Sequence, residues 1–434
     1  MNNPKPYKKY KPSNIAWLGE IPEHWEVRKL KYSDKVNMGQ SPNSEDCNMD
    51  RVGLPFLQGN AEFGKFYPIP KLWCSTSNKI AEENDILLSV RAPIGAINFA
   101  SEKTGIGRGL CAITAQNTQI RYLYYSLINL KKELNSIGTG STFKAISVDD
   151  VRNISLVSPP LSEQQKIANF LDYKLSKIDR FIQKKKQLIK LLNEQKAGII
   201  NDAVTKGLDQ NAKMKPSDIE WLGSIPEHWE VRKLKYVAKI CNGSDCEKQE
   251  GIYPVYGSGG IFGWTHNYIY DKPSVLLGRK GTIDKPILVT KPFWTVDTAF
   301  YTKIKDNVVS PLFFYYLCCN IPFKFYSSKT ALPSMTQTSL YEVKFGIPPL
   351  SEQTAIVTHI EKETAQINLI IQTIEKEIAL TQEYRTALIA EAVTGKIDVR
   401  EYEIPEMPIV ELYEELEEEM SLAAEGEGEY LTEN

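Results

Sequence analysis

The chain has 434 residues, 52 basic and 54 acidic, with 42% apolar residues, a composition ordinary for a globular protein of two or three domains. It has no run of about 18 apolar residues, and its start, "MNNPKPYKKYKPSN", has no hydrophobic stretch, so neither a membrane span nor a secretory signal is expected and a cytoplasmic location is. The near-neutral total hides an asymmetry: Glu401–Asn434 holds 13 Glu and no Lys or Arg, so Met1–Arg400 carries 52 basic against 41 acidic residues, +11, a balance compatible with a nucleic-acid partner.

The first recognisable stretch, Lys11–Tyr32, returns at Lys215–Tyr236 with 19 of 22 residues identical, including "IPEHWEVRKLKY" in full. A block without such a match follows it, Ser33–Ser158, containing β-like runs such as "DILLSV" (Asp85–Val90) and a helical piece, Tyr122–Leu134. Next comes Pro159–Asp209, opened by "PPLSEQ" and closed by "AVTKGLD". Its Leu171, Leu175, Ile178, Ile182, Ile189, Leu192, Ile199 and Ala203 recur in steps of three and four, the seam of a long coiled-coil helix, interrupted by Lys185 and Lys196. Ser162 with Gln165 fits a capping box and Gly207 a C-terminal stop. After the second opener, the block Val237–Ile347 again mixes short strands ("PSVLLG", Pro273–Gly278) with glycine-rich turns. Pro348–Asp398 then repeats "PPLSEQ" and the apolar seam, with Ile360, Ile367, Ile371, Ile374, Ile378, Leu388 and Ala392; Ser351 is the candidate cap and Gly395 the stop. The tail 401–434 is expected to be disordered.

The chain is thus a tandem duplication, with an offset of 204 at the openers and 189 at the helices. Pro159–Asp209 carries +4 and Pro348–Asp398 carries −4, which favours pairing of the two helices with each other. Since the first helix ends just before the second block and the second begins just after it, the pair is expected to run antiparallel. The two blocks would then lie at opposite ends of a rod, related by a pseudo-twofold axis. The predicted fold class is mixed α+β (α/β): two globular domains joined by two long antiparallel helices in a coiled coil.

Catalytic signatures are missing. There is no Gly-x-x-x-x-Gly-Lys-Ser/Thr loop, no strand–Gly-x-Gly–helix signature for S-adenosylmethionine, and no Asn-Pro-Pro-aromatic motif. His266 and His359 have no nearby metal partners, so no metal site is expected, and the seven cysteines, none in CxxC, are read as free thiols. A binding protein is expected, with no catalytic residue of its own.

An "IPEHW" opener, a variable block and a "PPLSEQ" helix, all duplicated over Lys11–Arg400, resemble the specificity subunits of type I restriction–modification systems. The resemblance implies recognition domains at 1–158 and 211–347, spacer helices at 159–210 and 348–400, and a tail at 401–434. Each domain would read one half of a bipartite, asymmetric site on double-stranded DNA. Two methyltransferase subunits and two restriction subunits would be partners, with S-adenosylmethionine, ATP and magnesium confined to them and no cofactor in this chain. An orphan subunit lending a new site to another system, or a non-DNA scaffold, are the alternatives. Side-chain chemistry selects the candidate DNA contacts. They are Arg91 and Arg279, each just after a hydrophobic strand, Lys280 beside the latter, and Arg108 in "GIGRGL". Ser141, Thr142 and Lys144 before the first helix correspond to Lys329, Thr330 and Ser334 before the second, and Tyr256 lies in "YGSGGIFGW" beside Trp264. His24, Trp25, His228 and Trp229, identical between halves, are expected to dock each domain on a common frame, with Leu171, Ile178, Ile182, Ile367, Ile371 and Ile378 as helix packing.

Overall fold

The structure, a computed structural model, describes residues 4–138, 144–246, 250–327 and 333–405. It divides into two units, one of residues 1–183 with 378–434 and one of residues 184–377. Each unit therefore contains one opener, one block, and half of each long helix.

The long helices are Leu161–Lys206 and Leu350–Val393, 46 and 44 residues, or roughly 69 and 66 Å at 1.5 Å per residue. In the first unit Ile167, Ala168, Phe170, Leu171 and Leu175 share a core with Leu388, Ile389, Ala392 and Val393. Across the pair, Arg385 donates to Asp179 at 3.0 Å. In the second unit Ala203 and Val204 share a core with Ile356, Val357 and Ile360. There Lys185 reaches Glu377 at 2.7 Å and Lys196 donates to Asn368 at 2.9 Å. Within that unit the partner number falls as the residue number rises, so the helices are antiparallel. The two lysines that break the apolar stripe are thus both held by polar groups of the other helix. Gly207 and Gly395 end the helices at φ +75°, a left-handed conformation that suits glycine. The expected serine caps are not formed. Helix geometry already includes Leu161 and Leu350, one residue before Ser162 and Ser351. Pro160 and Pro349 carbonyls instead accept from Glu163, Gln164, Glu352 and Gln353 main-chain N–H groups.

The repeated motifs touch each other. In the second unit Glu352 of "PPLSEQ" accepts from Trp229 Nε1 at 3.0 Å and lies 2.8 Å from His228 Nε2. In the first, Glu163 lies 2.9 Å from His24 Nε2 and accepts the hydroxyl of Tyr7. Burial, and then this carboxylate, push the Tyr7 hydroxyl far above its ordinary pKa. Tyr7 takes the Oε1 atom that serves Trp229 in the second unit, and Trp25 Nε1 has no hydrogen-bond partner among the described residues. Gln164 and Gln353 fold back onto the carbonyls of Pro159 (2.8 Å) and Pro348 (3.0 Å) and accept the main-chain N–H of Gln119 and Ser310 at 2.8 Å each. Both tryptophans are fully buried. Trp25 lies against the Gly395 end of the second long helix, and Trp229 against the Gly207 end of the first.

Each block builds two sheets. In the first unit a four-stranded antiparallel sheet has the order Ile97–Phe99, Ile86–Ser89, Leu110–Thr114, Lys35–Met38. Beside it lies a five-stranded sheet, in which Thr104–Ile106 runs parallel to Leu54–Leu57. In the second unit the order Ile287–Val289, Ser274–Gly278, Ala299–Ile304, Ala238–Asn242 repeats the first sheet, and Trp294–Thr295 runs parallel to Tyr253–Gly257 in a three-stranded second sheet. Ile86–Ser89 and Ser274–Gly278 are buried throughout, which is why they read as continuous hydrophobic runs. The expectation of free thiols fails at one pair. Cys47 and Cys74 face each other across adjacent antiparallel strands, Cα atoms 4.2 Å apart, and form a disulfide. No helix among the described residues is long and apolar enough to cross a membrane.

Candidate functional site

The site in each unit is built where the central buried strand runs out of its sheet. In the first unit, Leu110 pairs with Ser89, Val90 N–H donates to Gly109 O at 2.9 Å, and Gly107 N–H to Leu57 O at 2.8 Å. Gly39 N–H donates to Leu110 O and Gln40 N–H to Ile106 O, both at 2.9 Å. The segment before the short helix Val148–Arg152 crosses the same edge: Ile146 N–H donates to Val90 O at 3.0 Å and Ala92 N–H to Lys144 O at 3.2 Å, around the Arg91–Ala145 bridge.

The second unit forms the same frame bond for bond. Arg279 N–H donates to Thr298 O (2.8 Å), Val296 N–H to Tyr256 O (3.0 Å), Gly243 N–H to Ala299 O (3.3 Å) and Ser244 N–H to Thr295 O (3.0 Å). Met335 N–H donates to Arg279 O (2.9 Å) and Gly281 N–H to Pro333 O (3.2 Å), around the Lys280–Ser334 bridge. Donor and acceptor numbers differ from those of the first unit by 204 before the variable insertions and by 189 after them, save that Tyr256, within the variable part, stands 199 residues beyond Leu57.

This frame changes one pairing inferred from sequence. The counterpart of Arg91 is Lys280, and Arg279 stands where Val90 does, one step inward. Arg279 is accordingly only partly exposed. Its guanidinium lies 5.9 Å from the Phe300 ring and donates to Asp297 O at 3.3 Å. Arg91, Arg108, Lys144 and Lys280 are exposed. Ser334 sits in the bridge strand, and Tyr256 packs edge-on against Phe293, with centroids 6.1 Å apart. Ser141, Thr142, Lys329 and Thr330 lie outside the described residues, as does residue 406 onward of the acidic tail.

The frame also brings in residues that the sequence did not single out. Arg91 and Arg108 each lie one residue beyond the Val90–Gly109 hydrogen bond, so both stand at this edge of the sheet. Neither arginine has a carboxylate partner among the described residues. Arg108 Nε approaches only Ser41 Oγ at 3.4 Å, and Ser41 in turn bonds exposed Gln58. The surface of the first unit therefore offers two uncompensated guanidiniums beside Gln40, Ser41 and Gln58. In the second unit the equivalent positions hold Lys280 and Asp297, whose charged groups are 3.8 Å apart. The 189 offset applied to "GIGRGL" would have found Asp297. Among the described residues, no group of three or more His, Cys, Asp or Glu could hold a metal ion.

Comparison with known proteins agrees with this duplication. The model of the family described as the type I restriction modification DNA specificity domain matches twice, at residues 22–191 and 226–380. A putative type I restriction enzyme MjaX specificity subunit of Methanocaldococcus jannaschii is 41% identical over 46% of this chain and 46% of its own length, so the chain's match spans about half of that relative. The MjaVIII specificity subunit of the same organism is 26% identical over 90% of this chain and 97% of its own length. A solved chain from work on complex assembly and conformational transition of the type I R-M system superposes with a TM-score of 0.65 at 14% identity, covering 87% of this chain and 99% of that one, a likeness of fold. With two matched copies covering most of its length, the chain belongs to the family of type I restriction modification DNA specificity domains.

Proposed function

We propose that this chain is the non-catalytic DNA sequence-specificity subunit of a type I restriction–modification complex. Its blocks, within 1–158 and 211–347, read the two unlike halves of a bipartite site on duplex DNA. The paired helices, within 159–210 and 348–400, space the readers and dock two methyltransferase subunits, to which two restriction subunits are added in the full complex. S-adenosylmethionine, ATP and magnesium belong to those partners. Arg108 and Arg91 carry this reading: two exposed guanidiniums on one hydrogen-bonded frame, without a carboxylate partner among the described residues, offer donors to a phosphate or to the O6 and N7 acceptors of guanine. Different side chains on the same frame in the second unit imply a different half-site and hence an asymmetric sequence. The test is methylome sequencing of cells expressing the methyltransferase subunits with and without this chain. The expected result is one bipartite methylated motif that depends on the chain; methylation indifferent to it refutes the proposal. Duplex binding by the reconstituted complex should also fall steeply with salt, as phosphate contacts require.

A further inference from the structure

Among the positions at which the surface of the second unit departs from that of the first, Asp297 replaces Arg108 on the same hydrogen-bonded frame. A carboxylate there is costly for a protein that approaches phosphates, unless it has a specific donor to meet. Asp297 is half exposed and lies 3.8 Å from the Lys280 ammonium. It lines a cavity of about 670 Å³ with Ser258 and the Gly257–Gly260 turn, whose glycines keep the rim low. We infer that Lys280 and Asp297 together read a single G·C base pair in the major groove, with Lys280 donating to guanine and Asp297 accepting from the cytosine amino group.

The chemistry selects that pair. On a G·C edge the acceptors O6 and N7 of guanine lie beside the N4 donor of cytosine, so a cation and a carboxylate in contact match it in one orientation. Adenine also offers an amino donor, but only the single acceptor N7 beside it, where guanine gives the ammonium both O6 and N7. Thymine presents only an acceptor and a methyl group. Reversing the pair puts like against like at both positions. Lys280 also holds the Asp297 charge in check before DNA arrives. By the same logic the two arginines of the first unit, which only donate, cannot accept from an amino group and favour guanine.

This inference rests on the function proposed above, and the test separates the two. A random duplex library is selected with the complex of this chain and its methyltransferase subunits, using the unaltered chain, Asp297→Ala and Asp297→Asn. The unaltered complex should show an invariant G·C pair in one half of its motif, favoured about 10- to 100-fold over other pairs. Asp297→Ala should make that position alone degenerate, and Asp297→Asn should shift it toward adenine, whose N6 and N7 suit an amide. The other half of the motif, unchanged, reports that the variant is folded and assembled. A motif that survives Asp297→Ala intact, or a uniform weakening at every position, overturns the inference alone. An unaltered complex that enriches no motif removes the proposed function, and the inference with it.

Discussion

Identical twelve-residue openers should respond differently to the same substitution. In the second unit, Trp229→Phe deletes an indole N–H that donates to the Glu352 carboxylate at 3.0 Å. A hydrogen bond to a charged acceptor contributes about 1.5–3 kcal/mol. In the first unit Tyr7 occupies the equivalent oxygen of Glu163, and the buried Trp25 Nε1 has no partner among the described residues. Trp25→Phe therefore removes a polar group whose unsatisfied burial costs about 1–3 kcal/mol. The loss of ring area is common to both variants, so the difference isolates the hydrogen bond. Trp229→Phe should cost at least about 2 kcal/mol more than Trp25→Phe. Hydrogen exchange measured by mass spectrometry against denaturant, with peptides taken from each unit, gives the two stabilities separately. Tyr7→Phe is the control: it frees Glu163 Oε1 for Trp25, after which Trp25→Phe should cost more than it does alone. Equal losses in the two units, with or without Tyr7, would refute the argument.

Arg91→Ala should relax base preference in the half-site read by the first unit and leave the other half intact, with a loss of about 1–3 kcal/mol on the preferred site measured by competition binding. Gly395→Ala places a Cβ 2.4 Å from Pro22 Cδ and 2.9 Å from the Trp25 ring at φ +75°, so the first unit should lose roughly 3 kcal/mol or more. Gly207→Ala, whose nearest contact is 3.2 Å from Trp229, should cost the second unit about 1–2 kcal/mol by the same exchange measurement. The Cys111 thiol is pushed up to about 12 by burial; it should resist alkylation at pH 8 in the folded chain and react only on unfolding or as the pH approaches that value. Inserting one heptad into both long helices should lengthen each by about 10 Å. If the helices set the spacing of the half-sites, the preferred gap should widen by about 3 base pairs, as methylome sequencing would report.

The frame of the molecule was legible because it repeats. Glu163 with His24 and Glu352 with His228 recur as sequence identities because each makes the same contact, Trp25 and Trp229 because each ring packs against a helix-end glycine, and the apolar seam because only residues at three- and four-step spacing face the other helix. The helix caps were not legible: Ser162 and Ser351 satisfy the pattern of a cap, yet the preceding prolines already supply the carbonyls that helix N–H groups bond. The Cys47–Cys74 disulfide carries no local signal either, since 27 residues separate its partners and only strand pairing opposes them. Tyr7 shows a third kind of limit. It lies outside the repeat, and nothing in "NPKPYKKY" announces that its hydroxyl will displace a tryptophan from a glutamate 156 residues away.

The arginines after the buried strands were found by composition but paired by eye, and adjacency to a hydrophobic run placed Arg279 where Lys280 belongs. The offset of 189 corrects this because it counts frame positions: main-chain hydrogen bonds hold positions 90–92 and 107–110, and equivalent main-chain bonds hold 279–281 and 296–299. Side chains at Arg91, Arg108, Lys280 and Asp297 are thereby released from any part in holding the sheet edge. Exposed substitutions away from caps and cores change stability by only about 0.5 kcal/mol, whereas a base-edge contact changes discrimination by about 1–3 kcal/mol. These exposed positions can therefore exchange even charge sign, as Arg108 and Asp297 do, without disturbing the fold that presents them. Exchanging those two residues between the units should accordingly leave both units folded and alter the motif at one position in each half.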